Sequence, residues 1–222
     1  MKNEEAKRID RILNDLKTSI GTDVYPVLQP NRPEGGYFGV TRTLLCYIDV
    51  LGLLLEGWNG KLKKNGDKDN FATPKKAKTY IKKILSEVDE RYELNGNLLY
   101  DMYRHGTVHI YSPKKLVSRQ YPSKTIEWLI YKGEREQWDY YENQSFKFRH
   151  LQIIEWTKNR FVLPISIHVF YSDVMVSIEL FKKMIYEDKS RKLLKNFLGI
   201  ADALDTIFDG TKDKFWEKAI KV

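Results

Sequence analysis

Phe161-Val162-Leu163-Pro164-Ile165-Ser166-Ile167-His168-Val169 is the stretch on which the fold class turns. Ile165, Ile167 and Val169 alternate with Ser166, His168 and Phe170, and the stretch is rich in β-branched and aromatic residues. That pattern predicts a strand over residues 161–169. Just before it, Lys158-Asn159-Arg160 looks like a hairpin connection, reached from a second apolar stretch, Leu151 to Trp156. Thr125 to Tyr131 is a third stretch of the same character.

Further out in both directions the period changes from strand to helix. Ile9, Ile12, Leu13, Leu16 and Ile20 repeat at helical spacing over residues 3–20, with Gly21 as the expected stop. A Pro-, Asn- and Gly-rich loop follows from Tyr25 to Gly36. Residues 41–56 are apolar nearly all round, which predicts a central, buried helix. Thr73-Pro74 has the chemistry of a helix start, and Ala77, Tyr80, Ile81, Ile84, Leu85 and Val88 continue it as a narrow stripe. Asn95-Gly96-Asn97 reads as a break. Leu98, Leu99 and Met102 open a helix that carries residues 103–109 and ends by Pro113. After the strands, Ser172 is the expected cap of a helix through Ile185, and Leu193 to Ile207 forms another, with a short basic helix at the end.

Helices, then a small antiparallel sheet, then helices make an α+β fold. Residues 1–112 form a helical region and residues 113–222 a strand-containing region. The alternative is one integrated domain in which the late helices complete the N-terminal bundle.

The 222 residues carry a formal net charge of +8, which favours acidic partners, nucleic acid first among them. Lysines concentrate between Lys61 and Lys83, and Lys114, Lys115, Arg119 and Lys124 follow Arg104 and His109 without an intervening acid. Either group serves as phosphate contacts, with Lys75, Lys76, Lys114 and Lys115 the candidates, or as a solvated face. The lone Cys46 lies in an apolar run and reads as a small hydrophobe in a reducing compartment. The charged N-terminus has no apolar signal core. The run Leu44 to Leu55, interrupted by Asp49, is too short to span a bilayer. A cytoplasmic protein without membrane contact is the expectation.

No Gly-rich phosphate loop, Cys-x-x-Cys pair, His-Glu-x-x-His or Gly-x-Ser-x-Gly motif is present. Two of the four histidines lie in Tyr103-Arg104-His105-Gly106-Thr107-Val108-His109. Arginine's forked donors suit phosphate, and histidine suits proton transfer near neutral pH. Cleavage of RNA needs a base for the 2′-hydroxyl, an acid for the departing 5′-oxygen and a cation for the transition state. The 2′-hydroxyl is the nucleophile, so no metal or other cofactor is required. On a regular helix Arg104 and His109 would lie about 140° apart. Their cooperation therefore calls for local distortion, arginine reach or a second subunit.

Arg104-His105-x-x-x-His109 resembles the signature of the HEPN superfamily, an Arg followed after four to six residues by His, often with a polar residue directly after the Arg. The resemblance covers residues 38–112. It implies a helical bundle and a metal-independent endoribonuclease of the kind found in toxin–antitoxin and phage-defence systems, assembled as a homodimer. It would make Arg104 the phosphate-holding residue, His109 the acid/base and His105 the polar neighbour, with RNA as substrate and an antitoxin or other protein as further partner. The sequence departs from the family in having His at the polar position and strand-like segments over residues 125–170. Three other readings of the run stand beside it. Tyr103, His105 and His109 could cap the helix end while Arg104 pairs with Asp101 or Glu93. His105 and His109, at i and i+4, could hold a metal with His150 or His168. The chain could also be a non-catalytic nucleic-acid- or protein-binding protein.

Overall fold

The first helix, α1 (Asn3–Leu28), does not stop at Gly21. Its apolar stripe continues through Ile20, Val24 and Leu28, all buried, so packing of that face outweighs the low helix propensity of glycine. The second, α2 (Tyr37–Glu56), starts four residues ahead of the predicted position, directly after Gly36 in the left-handed region (φ 75°). In the computed structural model residues 3–29, 35–57, 73–104, 112–141 and 144–204 are described.

As its composition predicts, α2 is the central helix. Leu44, Leu45, Ile48, Leu51 and Leu54 are fully buried, each stabilising by about 2 kcal/mol relative to exposure. It is long and apolar enough to cross a membrane by length and composition, yet 56% of its apolar window is buried inside this fold. Gly52 lets α3 (Thr73–Tyr80) approach closely, because a Cβ there would lie 2.6 Å from the backbone of Lys76 and Ala77.

From α3 the chain passes into a π-helical turn (Ile81–Leu85) and a short α4 (Ser86–Val88). The break falls at Asp89, which is extended. Asn95-Gly96-Asn97 instead lies inside α5 (Arg91–Leu99). Gly96 is there to make room: a Cβ would sit 2.2 Å from Ile81 Cγ2 on the neighbouring π turn. A second π turn, Tyr100–Arg104, continues α5.

The strand-containing region is more elaborate than expected. Strands β1 (Leu116–Val117), β2 (Thr125–Tyr131), β5 (Ile154–Thr157) and β6 (Arg160–Ser166) form one sheet in the order β1-β2-β6-β5. The sheet is mixed, not antiparallel. β2 and β6 run parallel, with Thr125 opposite Arg160 and Tyr131 opposite Ser166, while β5 and β6 form the predicted hairpin through Asn159 (φ 65°). Between them β3 (Glu136–Tyr141) and β4 (Gln144–Arg149) pair as a separate antiparallel hairpin that sequence patterning missed.

The predicted strand over residues 161–169 ends early. Ser166, not Ser172, caps the next helix: its Oγ accepts from Val169 N–H at 3.2 Å, and α6 (Ile167–Glu187) begins at Ile167. His168 and Phe170 are therefore helical. The alternation of Ile165, Ile167 and Val169 misleads because a buried strand end and a buried helix start are both apolar. Helix α7 (Lys192–Leu204) follows. One buried apolar cluster takes in Ile9 and Leu13 of α1, Leu51 of α2, Ile165 of β6, Phe181 of α6 and Phe197 of α7. The late helices thus pack on the early ones around a shared core.

Candidate functional site

Arg104 closes the second π turn, and the side chain that receives it comes from the middle of α2. Its Nε donates to Asp49 Oδ2 at 2.8 Å, and Tyr100 Oη donates to Asp49 Oδ1 at 2.6 Å. Asp49 is buried, and both its oxygens are satisfied by this pair. Burial alone would weaken the charge on Arg104, but the bond to Asp49 outweighs it and holds the guanidinium firmly protonated. Burial, with Asp49 beside it, pushes the Tyr100 hydroxyl up. Cys46 also faces this group; burial raises its thiol, and Arg104 opposes the shift.

The sequence offered Asp101 or Glu93 as partners for Arg104, and the structure uses neither. Asp101 bonds Lys78 at 2.6 Å, and Glu93 lies 4.0 Å from Lys82. Asp49 was visible as the single charge inside an apolar run, which is the signal that could have found it. Among the described residues only Nε of Arg104 makes a hydrogen bond, so Asp49 fixes the root of the fork and not its two terminal nitrogens. His105 and His109 lie outside the described residues.

The chain returns to the same turn at Lys114, whose N–H bonds Met102 O at 2.9 Å. Beside this junction is a groove of about 750 Å³. Leu116, Ile126 and Phe161 contribute its apolar surface, Lys114, Arg119 and Lys124 its cations. The other candidate lysines are dispersed. Lys115 pairs with Glu127 at 2.8 Å, Lys75 is exposed on α3, and Lys76 Nζ reaches Gly57 O at 2.5 Å at the end of α2. The Arg104 turn and Lys114 are brought together; Lys76 is committed to a helix C-terminus.

A second polar group is wholly structural in its geometry. Tyr92 Oη lies 3.1 Å from His150 Nε2 and donates to Asp173 Oδ2 at 3.0 Å. Ser166 N–H donates to His150 Nδ1 at 3.0 Å, so the proton sits on Nε2 and is given to Tyr92. Arg135, from the turn between β2 and β3, bridges Asp173 (2.7 Å) and Asp89, and Arg91 also bonds Asp89. Burial, helped by Arg135, drives His150 down to about 3, so the ring is neutral. Burial also raises the Asp173 carboxyl despite Arg135, whereas Asp89, desolvated too, is held low by Arg91 and Arg135. Each member has a hydrogen-bond partner, although Arg91 Nε is buried without one among the described residues, and the group ties α5, α6 and the β2–β3 turn together. Residues so scattered in sequence carried no signal.

His150 is thus occupied at both ring nitrogens. So is His168, which accepts from Gly133 N–H at 3.2 Å and lies 3.1 Å from Leu28 O. Both rings are committed to these bonds, and no group of three metal-ligating side chains occurs among the described residues. Trp128 packs edge-on against Phe38 at 5.1 Å and is 38% exposed; with Trp156 it lines a small separate pocket. The side chain of Trp138 lies outside the described residues. Comparisons with protein-family models, curated proteins and solved structures returned no match to this chain.

Proposed function

We propose that the chain is a metal-independent endoribonuclease of HEPN type, cytoplasmic and acting as a homodimer, and that it serves as a toxin or phage-defence effector. The observation that carries this reading is the setting of Arg104. It is anchored at Nε by a buried carboxylate and stands on a π turn of the kind often found at functional sites, a turn whose Asp101 lines a groove edged by Lys114, Arg119 and Lys124. An arginine held at its root loses less freedom when its terminal nitrogens take a phosphate. The π turn also supplies, at Arg104 itself, departure from regular helix of the kind the Arg–His pairing calls for.

In this reading Arg104 holds the scissile phosphate. His109 takes the proton from the ribose 2′-hydroxyl, whose oxygen attacks phosphorus as the bond to the 5′-oxygen breaks. A protonated histidine returns a proton to that 5′-oxygen. The products are a 2′,3′-cyclic phosphate and a 5′-hydroxyl. His105 is the polar neighbour that orients the phosphate.

The test is RNA cleavage in EDTA with end-group analysis. Arg104→Ala and His109→Ala should each lower the rate by a factor of about 100 or more, with helical content unchanged. Arg104→Lys, which keeps a charge for Asp49 but loses the fork, should be impaired as well and guards against misfolding as the cause. Undiminished cleavage by the alanine variants rules the site out. A second reading, binding without turnover, draws on the Asp49 ion pair, which partly neutralises Arg104. It predicts salt-sensitive RNA binding and no cyclic phosphate.

A further inference from the structure

We infer that the groove beside the Arg104 turn is the seat of single-stranded RNA, with an unstacked base on its apolar surface and flanking phosphates on its cationic edge. This rests on the ribonuclease reading and adds to it the form of the substrate.

Charge complementarity selects the occupant. Lys114, Arg119 and Lys124 are exposed and have no carboxylate partner among the described residues, whereas Lys115 and Arg160 nearby are both spent on Glu127. Among the described residues lining the groove the one acid is Asp101, and it is held by Lys78. The edge is therefore a local excess of positive charge against the turn that carries the proposed phosphate-holding arginine.

The apolar surface selects the form. Leu116, Ile126 and Phe161 offer nothing to a phosphate, and duplex RNA keeps its bases stacked out of reach. A base splayed from a single strand has a π-face for such a surface. Lys124 Nζ lies 4.8 Å from the ring centroid of Tyr121 and 5.9 Å from that of Phe161, which couples the cationic edge to two aromatic rings. The volume of about 750 Å³ lies in the range of small-molecule sites and exceeds what a bare phosphate needs.

The link to the turn that carries Arg104 is a single backbone hydrogen bond. Lys114 is fixed by its N–H to Met102 O, two residues before Arg104. A strand lying in the groove leads its backbone to that arginine.

The experiment measures binding of a fluorescein-labelled 12-nucleotide single-stranded RNA to the full chain by anisotropy, in EDTA with a 2′-O-methyl backbone to prevent cleavage. The variant Lys114→Glu/Arg119→Glu/Lys124→Glu is compared with Lys7→Glu/Lys183→Glu/Lys189→Glu, which changes net charge equally at exposed sites elsewhere. The groove variant should lose at least tenfold in affinity, and its log–log salt slope should flatten by about 2, the value for three phosphate contacts. The control should change less than threefold. The same RNA as a duplex should compete at least tenfold less well. Equal losses in the two variants, equal competition by duplex, or displacement by poly-glutamate as efficient as by RNA overturns the proposal. Cleavage of unmodified RNA separates the two levels. If the groove variant cleaves at unchanged kcat/KM, the groove assignment fails and the active-site reading stands. If Arg104→Ala cleaves normally while the groove variant loses binding, the active-site reading fails and the groove stands.

Discussion

Single residues in this protein owe their chemistry to what buries them, and His150 is the clearest instance. It is fully enclosed, accepts from Ser166 N–H and passes its proton toward Tyr92, so protonation would place a charge with no water to solvate it. Its pKa falls to about 3 from an ordinary 6.5. Between those values the unfolded chain binds a proton that the folded chain refuses. Stability should therefore be fully present above pH 6.5 and fall as the pH drops toward 3, by at most about 1.4 kcal/mol per pH unit from this group. Urea midpoints measured from pH 7 to pH 4.5 should decline less steeply in His150→Asn than in the parent, whatever the absolute stability of the variant. Parallel slopes would contradict the assignment. Asp49 makes the complementary point. A charge buried inside an apolar helix is tolerated because Tyr100 and Arg104 each give it a donor, and the lone charge in that apolar run, not its partners, was what the sequence let one read.

Among elements, contact distance decides. Gly52 and Gly96 both occupy helix interiors, where alanine ordinarily stabilises by about 1 kcal/mol. At Gly52 a methyl would meet the backbone of α3, which cannot move without shifting a helix; at Gly96 it would meet a methyl of Ile81, which has rotamer freedom. Gly52→Ala should cost about 1–3 kcal/mol and Gly96→Ala distinctly less, as thermal or urea unfolding would register. Gly52→Ala as stable as the parent would mean that α2 and α3 are not so close.

The same scale explains what could be read from the sequence alone. The stripes of α1, α3 and α6 were legible because one buried face repeats at helical period, and β2 was legible to the residue. The direction of pairing was not. Nothing in the side chains of Thr125 to Tyr131 says that β6 lies parallel to it, because that depends on where the β3–β4 hairpin and β5 carry the chain between them. The end of β6 was misread because Ser166 sits where an alternating strand would also put a polar residue. Arg104 was legible as a candidate by type and spacing. Its partner, its π turn and the groove beside it were not, since they bring together residues 49, 100, 114 and 161 from separate elements.

For the whole molecule, the unified core carries the expectation. Ile9 and Leu13 are buried in a cluster that also holds Phe181 and Phe197, and α2 packs against α7. Residues 1–112 on their own would expose the faces that α6 and α7 cover. The full chain should therefore unfold in one cooperative transition, with tyrosine and tryptophan fluorescence and helical ellipticity changing together in urea. Two separated transitions would show that the helical region and the strand-containing region are held independently.

The parallel pairing of β2 with β6 has its consequence in time. A parallel pair cannot close until the whole crossover has been made, so β2 waits for residues 160–166, and the apolar faces of α1 and α2 wait longer still for α6 and α7. During synthesis, ribosome and chaperone meet a chain whose N-terminal helices are formed but sticky, and whose Arg104 turn, where Tyr103 Oη donates to Leu163 O of β6 at 3.2 Å, lacks the sheet it is tied to. Activity at that turn is withheld until α6 and α7 have emerged to close the core.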